Sequence, residues 1–170
     1  MSRAPSDSEF AAFVHAVWPR LYRTAYLILG DHALAEDLVQ TALAKTYASW
    51  HRIREESAAF GYARTTVIHT AGAWFRRKSW RNELVTYRLP ERAYDEDPAD
   101  RPDVIAALRH LPPRQRAVIV LRFYEDQSVA QTAESLGCSV GTVKSQTSDA
   151  LARLRTLLGA TVLPHTEGVQ

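Results

Sequence analysis

Apolar residues recur at helical spacing along most of the chain. Phe10, Phe13, Val14, Val17, Leu21 and Ala25 follow one another at three- and four-residue steps, which predicts a helix from about Asp7 to Leu29. Ser6 or Asp7 is placed to cap it, and Gly30 to end it. Pro19 falls inside, so a kink or a split into two helices is expected there. Asp31 is a suitable cap for a second helix from His32 to about Trp50. Leu34, Leu38, Ala42 and Leu43 line one face of it, with Val39, Thr46 and Tyr47 beside them; Glu36, Gln40 and Lys45 lie off that face. His51 to Ser57 has no clear period and reads as a loop. Ser57 is then expected to cap a third helix, running through Phe60, Val67, Ala71 and Trp74 to about Arg81.

The pattern stops at Glu83. From there to Asp103 the chain carries Pro90, Pro98 and Pro102 and seven acids against three arginines, with little apolar surface to bury. A flexible acidic linker is the expected reading. It separates two small helical domains.

Beyond it, Val104, Leu108 and Leu111 predict a short helix stopped by the prolines at 112 and 113. A further helix is expected over Arg114–Phe123. Ser128 is positioned to cap Val129–Leu136, Gly137 suits a left-handed C-cap, and Ser139 is positioned to cap a last helix reaching about Leu158. Two helices meeting at a short glycine-containing turn form a helix-turn-helix, whose second helix enters the DNA major groove. In that last helix Val140, Val143, Thr147, Ala150, Leu151 and Leu154 form the inward stripe. Lys144, Ser145, Gln146, Ser148 and Asp149 lie away from it, a set of hydrogen-bonding side chains suited to base edges and phosphates. Asp149 is repelled by phosphates; it either accepts from a cytosine amino group or, the preferred reading, lies just outside the interface. An ordinary helical hairpin with a solvated polar face has the same periodicity, so the spacing alone leaves both readings open.

Composition narrows the picture. The chain has 170 residues and is rich in Ala, Leu and Arg, which favours an all-α fold. A net charge of +2 does not announce a nucleic-acid protein, but its distribution is informative. "WFRRKSWR" (Trp74–Arg81) interleaves Arg76, Arg77 and Lys78 with Trp74, Phe75 and Trp80. Cations bind phosphates and aromatic faces stack on unpaired bases; core packing of Trp74 and Phe75 beside a solvated helix end is the other account of the same residues. His69, Ala73, Arg76 and Trp80 share one helix face. No apolar run is long enough for a membrane span, no secretory signal is evident, and Cys138 is the single cysteine; a cytoplasmic protein is expected. The six histidines, His15, His32, His51, His69, His110 and His165, lack metal-motif spacing, and no phosphate loop is present. Neither an enzyme nor a bound metal or cofactor is expected.

Two motifs together carry a family resemblance. "AEDLVQTALAKTYASW" (Ala35–Trp50) resembles the polymerase-binding helix of bacterial sigma factors. "LPPRQRAVIVLRFYEDQSVAQTAESLGCSVGTVKSQTSDALARLR" (Leu111–Arg155) resembles their C-terminal DNA-binding region. From about Ser8 to Leu158 the chain is similar to the two-domain extracytoplasmic-function sigma factors, within them the actinobacterial SigE-like group. The resemblance implies a region 2 domain over 1–82, a linker over 83–103, a region 4 helix-turn-helix domain over 104–158 and a tail over 159–170. It implies that Glu36, Asp37 and Gln40 bind the clamp coiled coil of the largest polymerase subunit, and that the second-largest subunit's flap is a further contact. It implies minus-ten recognition and melting through Arg54, Tyr62, Arg64, His69, Arg76, Arg77, Lys78 and Trp80, with a flipped base held around Arg54–Tyr62. Minus-thirty-five recognition falls to Ser139, Thr142, Lys144, Ser145, Gln146 and Ser148. The partners implied are core RNA polymerase, promoter DNA in duplex and single-stranded form, and an anti-sigma factor; no membrane is involved. The setting is bacterial cytoplasm and nucleoid.

Some positions depart from the family. His69 stands where Asn is usual, Asp149 where a basic residue is frequent, and Gly61–Thr70 carries few arginines. Thr132 replaces an aliphatic core residue; its methyl is expected to be packed and its hydroxyl bonded to a helix carbonyl. The competing reading is a helix-turn-helix regulator that binds duplex operators without polymerase. Because the linker is flexible by composition, the two domains are expected to be positioned by the polymerase rather than by each other.

Overall fold

The computed structural model describes residues 6–77 and 102–159, and the described residues form helices only. Residues 78–101, which hold Lys78, Trp80 and nearly all of the expected linker, lie outside the described residues, as does the tail beyond 159. Three long helices make the first module: α1 (Asp7–Leu29), α2 (His32–Ala48) and α3 (Glu56–Arg76). Four make the second: α4 (Pro102–His110), α5 (Pro113–Ile119), α6 (Val129–Leu136) and α7 (Val140–Leu158).

Local capping chemistry sets most boundaries. The Glu9 amide donates to Ser6 Oγ, within a capping box, and Gly30 ends α1 in the left-handed conformation at φ 66°. Asp31 caps α2 by accepting from the Leu34 amide at 2.8 Å. Ser128 and Gln131 form a reciprocal capping box on α6, which Gly137 closes at φ 63°. Pro19 does not divide α1, which runs unbroken past it. Pro19 and His15, whose carbonyl loses its helical partner, are both exposed, so water can serve that carbonyl.

Several expected boundaries move. Helix α2 stops at Ala48 and tightens into a 3-10 turn over Trp50–Arg52. Ser57 is not a cap: α3 begins at Glu56, with Glu55 in extended conformation at the N-cap and no side-chain cap bond. The same helix ends at Arg76 rather than Arg81, with Arg77 already extended. Pro102 and Asp103, assigned by composition to the linker, form the first turn of α4, where a proline loses no helical bond. The helix expected to reach Phe123 is α-helical only to Ile119 and continues as a π-type turn over Val120–Tyr124.

The largest departure is the relation between the modules. One continuous core includes Phe13, Leu21, Leu38, Val67 and Phe75 of the first together with Val118, Leu121, Leu136 and Val143 of the second. A smaller cluster joins α4, α5 and α7 through Leu108, Leu111, Ile119, Ala150 and Leu154. Helix α5 packs on α1, and α6 on α3. The domains are therefore positioned by each other in this structure. Composition of the intervening segment could not reveal this, because the contact is made by apolar faces that each module already possesses.

Candidate nucleic-acid interface

The turn between α6 and α7 presents the last helix as the motif requires. Ser139 Oγ accepts from the Thr142 amide at 3.0 Å and lies 2.9 Å from Thr142 Oγ1. Val143, Ala150 and Leu154 are buried and pin one side of α7 to the rest of the module, while Thr147 and Leu151 are half-buried. Val140 departs from the expected stripe. It is 43% exposed, whereas Val143 in the same turn is fully buried. Lys144, Ser145, Ser148 and Asp149 are exposed, and Gln146 is half-buried. Ser145 Oγ donates to the Thr142 carbonyl at 3.1 Å, and Thr147 Oγ1 to the Val143 carbonyl at 2.7 Å. The N-terminal turns of α7 thus offer one cation, Lys144, among small polar groups, and exposed Arg153 and Arg155 follow further along the helix.

The other candidate surface lies on α3 and the segment before it. Arg54, Tyr62, His69, Arg76 and Arg77 are exposed. Tyr62 Oη lies 3.0 Å from Ser49 Oγ, which orients the ring beside the 3-10 turn. Lys45 of α2 donates to Thr70 Oγ1 at 3.2 Å, adding a cation next to His69 that the sequence reading did not place there. Phe75 is in the core at 2% exposure and Trp74 is half-buried against it, so these aromatics serve packing.

Arg64 is placed differently. Its Nε is ion-paired with the Glu125 carboxylate of the second module, and its Nη2 donates to the Glu125 carbonyl at 2.8 Å. Thr24 Oγ1 of α1 donates to the other carboxylate oxygen at 2.6 Å. A polar cleft of about 220 Å³ opens here, lined by Arg20, Thr24, Phe60, Arg64, Tyr124 and Glu125. Arg76 reaches the second module as well: a Cβ on Gly137 would lie 2.7 Å from its Nη1. Sequence reasoning missed Glu125. Its only signal is an acid directly after an apolar run, which does not reveal a partner.

Of the polymerase-binding candidates on α2, Asp37 and Gln40 are exposed and Glu36 is half-buried, all opposite the buried Leu38, Val39 and Ala42. Cys138 is half-buried at the edge of the core. Among the described residues no cluster of His, Cys, Asp and Glu side chains could hold a metal ion, and no helix is long and apolar enough to cross a membrane.

The geometry agrees with what the chain is similar to. The sigma-70 region 2 family matches residues 13–81, and the sigma-70 region 4 family matches residues 102–154. The RNA polymerase sigma-E factor of Streptomyces coelicolor is 42% identical over 150 residues, covering 86% of this chain and 84% of that protein. The sigma-E factor of Streptomyces avermitilis is 41% identical over the same length. A solved structure of the sigma factor RpoE in complex with the anti-sigma factor NepR from Bartonella quintana has a TM-score of 0.63 at 27% identity. It covers 91% of this chain and 99% of that one.

Proposed function

The chain belongs to the extracytoplasmic-function sigma factors, and we propose the following division of its residues among the partners of such a subunit. As a sigma factor it binds core RNA polymerase and directs initiation at specific promoters. Glu36, Asp37 and Gln40 on α2 engage the clamp coiled coil of the largest subunit, and the second module meets the flap of the second-largest. Arg54, Tyr62, Arg64, His69, Arg76 and Arg77, on and flanking α3, contact the minus-ten element, and Lys78 and Trp80 are assigned to the same contact. The N-terminal turns of α7, with Ser139, Thr142, Lys144, Ser145, Gln146 and Ser148, read the minus-thirty-five element in the major groove. The residues between Arg77 and Pro102 connect the two. The protein itself is not catalytic and needs no cofactor. It acts in the cytoplasm, on the nucleoid, and an anti-sigma factor is a further partner, like the one in complex with the Bartonella quintana sigma factor.

The observation that carries this division is the coexistence on one chain of two outward faces. An acidic-polar face on α2 stands opposite its core stripe, and a capped α7 presents Lys144, Ser145 and Ser148 outward. Run-off transcription with bacterial core polymerase on promoters from the protein's own genome tests it. Specific initiation is expected with the wild type. Glu36→Lys should abolish it by loss of polymerase binding. Lys144→Glu should retain polymerase binding and lose promoter selectivity. Polymerase binding that survives Glu36→Lys at full strength would remove α2 from the assignment.

A further inference from the structure

The seam between the modules is close-packed at two places and open at a third. Where α3 meets α6 the backbones nearly touch: a Cβ added to Gly72 would lie 2.0 Å from the Ser135 carbonyl oxygen. At the end of α1, buried Arg116 donates from Nε to the Ile28 carbonyl at 2.9 Å and from Nη2 to the Leu29 carbonyl at 2.7 Å. Those carbonyls belong to the last turn, where helical partners run out and the helix dipole is negative, so a cation is well placed. At the third place the polar cleft of about 220 Å³ opens between α1, α3 and the π-type turn. Buried Leu21 and Thr24 close its inner side.

We propose that this cleft binds a nucleoside phosphate, with the phosphate on Arg20 and the base on Tyr124. The cleft's one carboxylate, Glu125, is already engaged: one oxygen accepts from Thr24 and the other is paired with Arg64. Arg64 and Glu125 therefore cancel in charge. Arg20 does not. Its guanidinium carbon lies 4.1 Å from the centroid of the Phe60 ring, and among the described residues it has no carboxylate within ion-pair distance. A ring face holds a guanidinium without consuming its five N–H donors. Arg23 adds a second cation at the rim, 5.9 Å from the centroid of the Tyr124 ring. A cleft with surplus positive charge and surplus donors selects an anion rich in acceptor oxygens, and the planar donor fork of arginine matches phosphate. Size narrows the choice. A cavity of about 150 Å³ admits benzene, so this one takes a phosphate and the first atoms attached to it rather than a length of polynucleotide. The rest of the ligand lies outside, where Tyr124, 46% exposed, offers a ring on which a base can stack. The ligand touches both modules, Arg20 on α1 and Tyr124 on the π-type turn.

The test titrates the full chain calorimetrically with inorganic phosphate, adenosine and guanosine monophosphates, the free nucleosides and a single-stranded oligonucleotide. The monophosphates are expected to bind and to raise the unfolding temperature with concentration. The free nucleosides, which lack the anion, should not bind. Inorganic phosphate should bind at least about tenfold more weakly than a monophosphate, the worth of one base stack. Arg20→Gln should weaken phosphate and monophosphates alike by about tenfold or more, through loss of the charged donors. Tyr124→Ala should bring the monophosphates down to the level of phosphate and leave phosphate itself unchanged, a split that general loss of structure does not produce. Both side chains are exposed, so the substitutions spare the core. Monophosphate binding that survives Arg20→Gln lies elsewhere on the protein and overturns the site. Equal affinity for phosphate and monophosphates, untouched by Tyr124→Ala, overturns the nucleoside. An oligonucleotide that binds through Arg20 when monophosphates do not makes the cleft a DNA contact and overturns both. Neither Arg20 nor Tyr124 has a place in the promoter and polymerase assignments above, so failure here leaves those assignments standing.

Discussion

Thr132 lies in the middle of α6, fully buried, and its hydroxyl has no hydrogen-bond partner among the described residues. The expected bond to a helix carbonyl does not form, although the methyl is packed. A buried hydroxyl without a partner costs about 1–3 kcal/mol in proteins. Thr132→Val keeps the branched shape and should therefore stabilise the protein, by about 1 kcal/mol, read as a higher midpoint in thermal unfolding. Arg116 shows the opposite balance. Burial, with the nearby charge of Arg109, lowers its pKa to about 10, so it is cationic at neutral pH. The charge is tolerated because α1 ends in carbonyls that need donors. Arg116→Met would leave the Ile28 and Leu29 carbonyls buried without that donor, and a loss of about 2 kcal/mol in urea denaturation is expected. Its acceptors lie 88 and 87 residues away in the chain.

Among the elements, the best-determined boundaries are those with a side chain three residues from the amide it caps. Ser6, Asp31, Ser128 and Ser139 all follow this rule; the last three were legible, and the structure decides between Ser6 and Asp7 in favour of Ser6. Ser57 failed because its neighbourhood already turns helical at Glu56, leaving no orphan amide at the right distance. Ser139 has two tasks, as a cap in the free chain and as a phosphate or base contact in the proposed complex. Ser139→Ala should cost about 1 kcal/mol of stability, and its effect on promoter binding should exceed that of Ser128→Ala, which removes an equivalent cap away from the DNA face. Parallel thermal melts and promoter-binding titrations of the two variants check this. The π-type turn was not legible. A helix widens by one residue when tertiary contacts reward the shift, and Glu125 finds its reward in Arg64 and Thr24.

For the molecule as a whole, the shared core has a thermodynamic consequence. Apolar faces from both modules are removed from water together, so unfolding one exposes the other. The free wild-type chain should melt in a single calorimetric transition. Gly72→Ala, by parting α3 from α6, should broaden or split it; a wild-type melt already in two steps would show that the modules are energetically separate.

The sequence by itself determined the all-α class, the helix-turn-helix, the side-chain N-caps at Asp31, Ser128 and Ser139, and the family, because each depends on residues within a turn or two of one another or on motifs read in order. It also placed Lys144 and Gln40 on outward faces, since helical period alone assigns a side. Only the tertiary structure decided that Arg64 is held by Glu125, 61 residues away, that Arg116 closes α1, and that the modules share a core. Those contacts rest on matching of distant surfaces, and a charged residue in a sequence carries its sign but not the direction from which its counter-charge arrives.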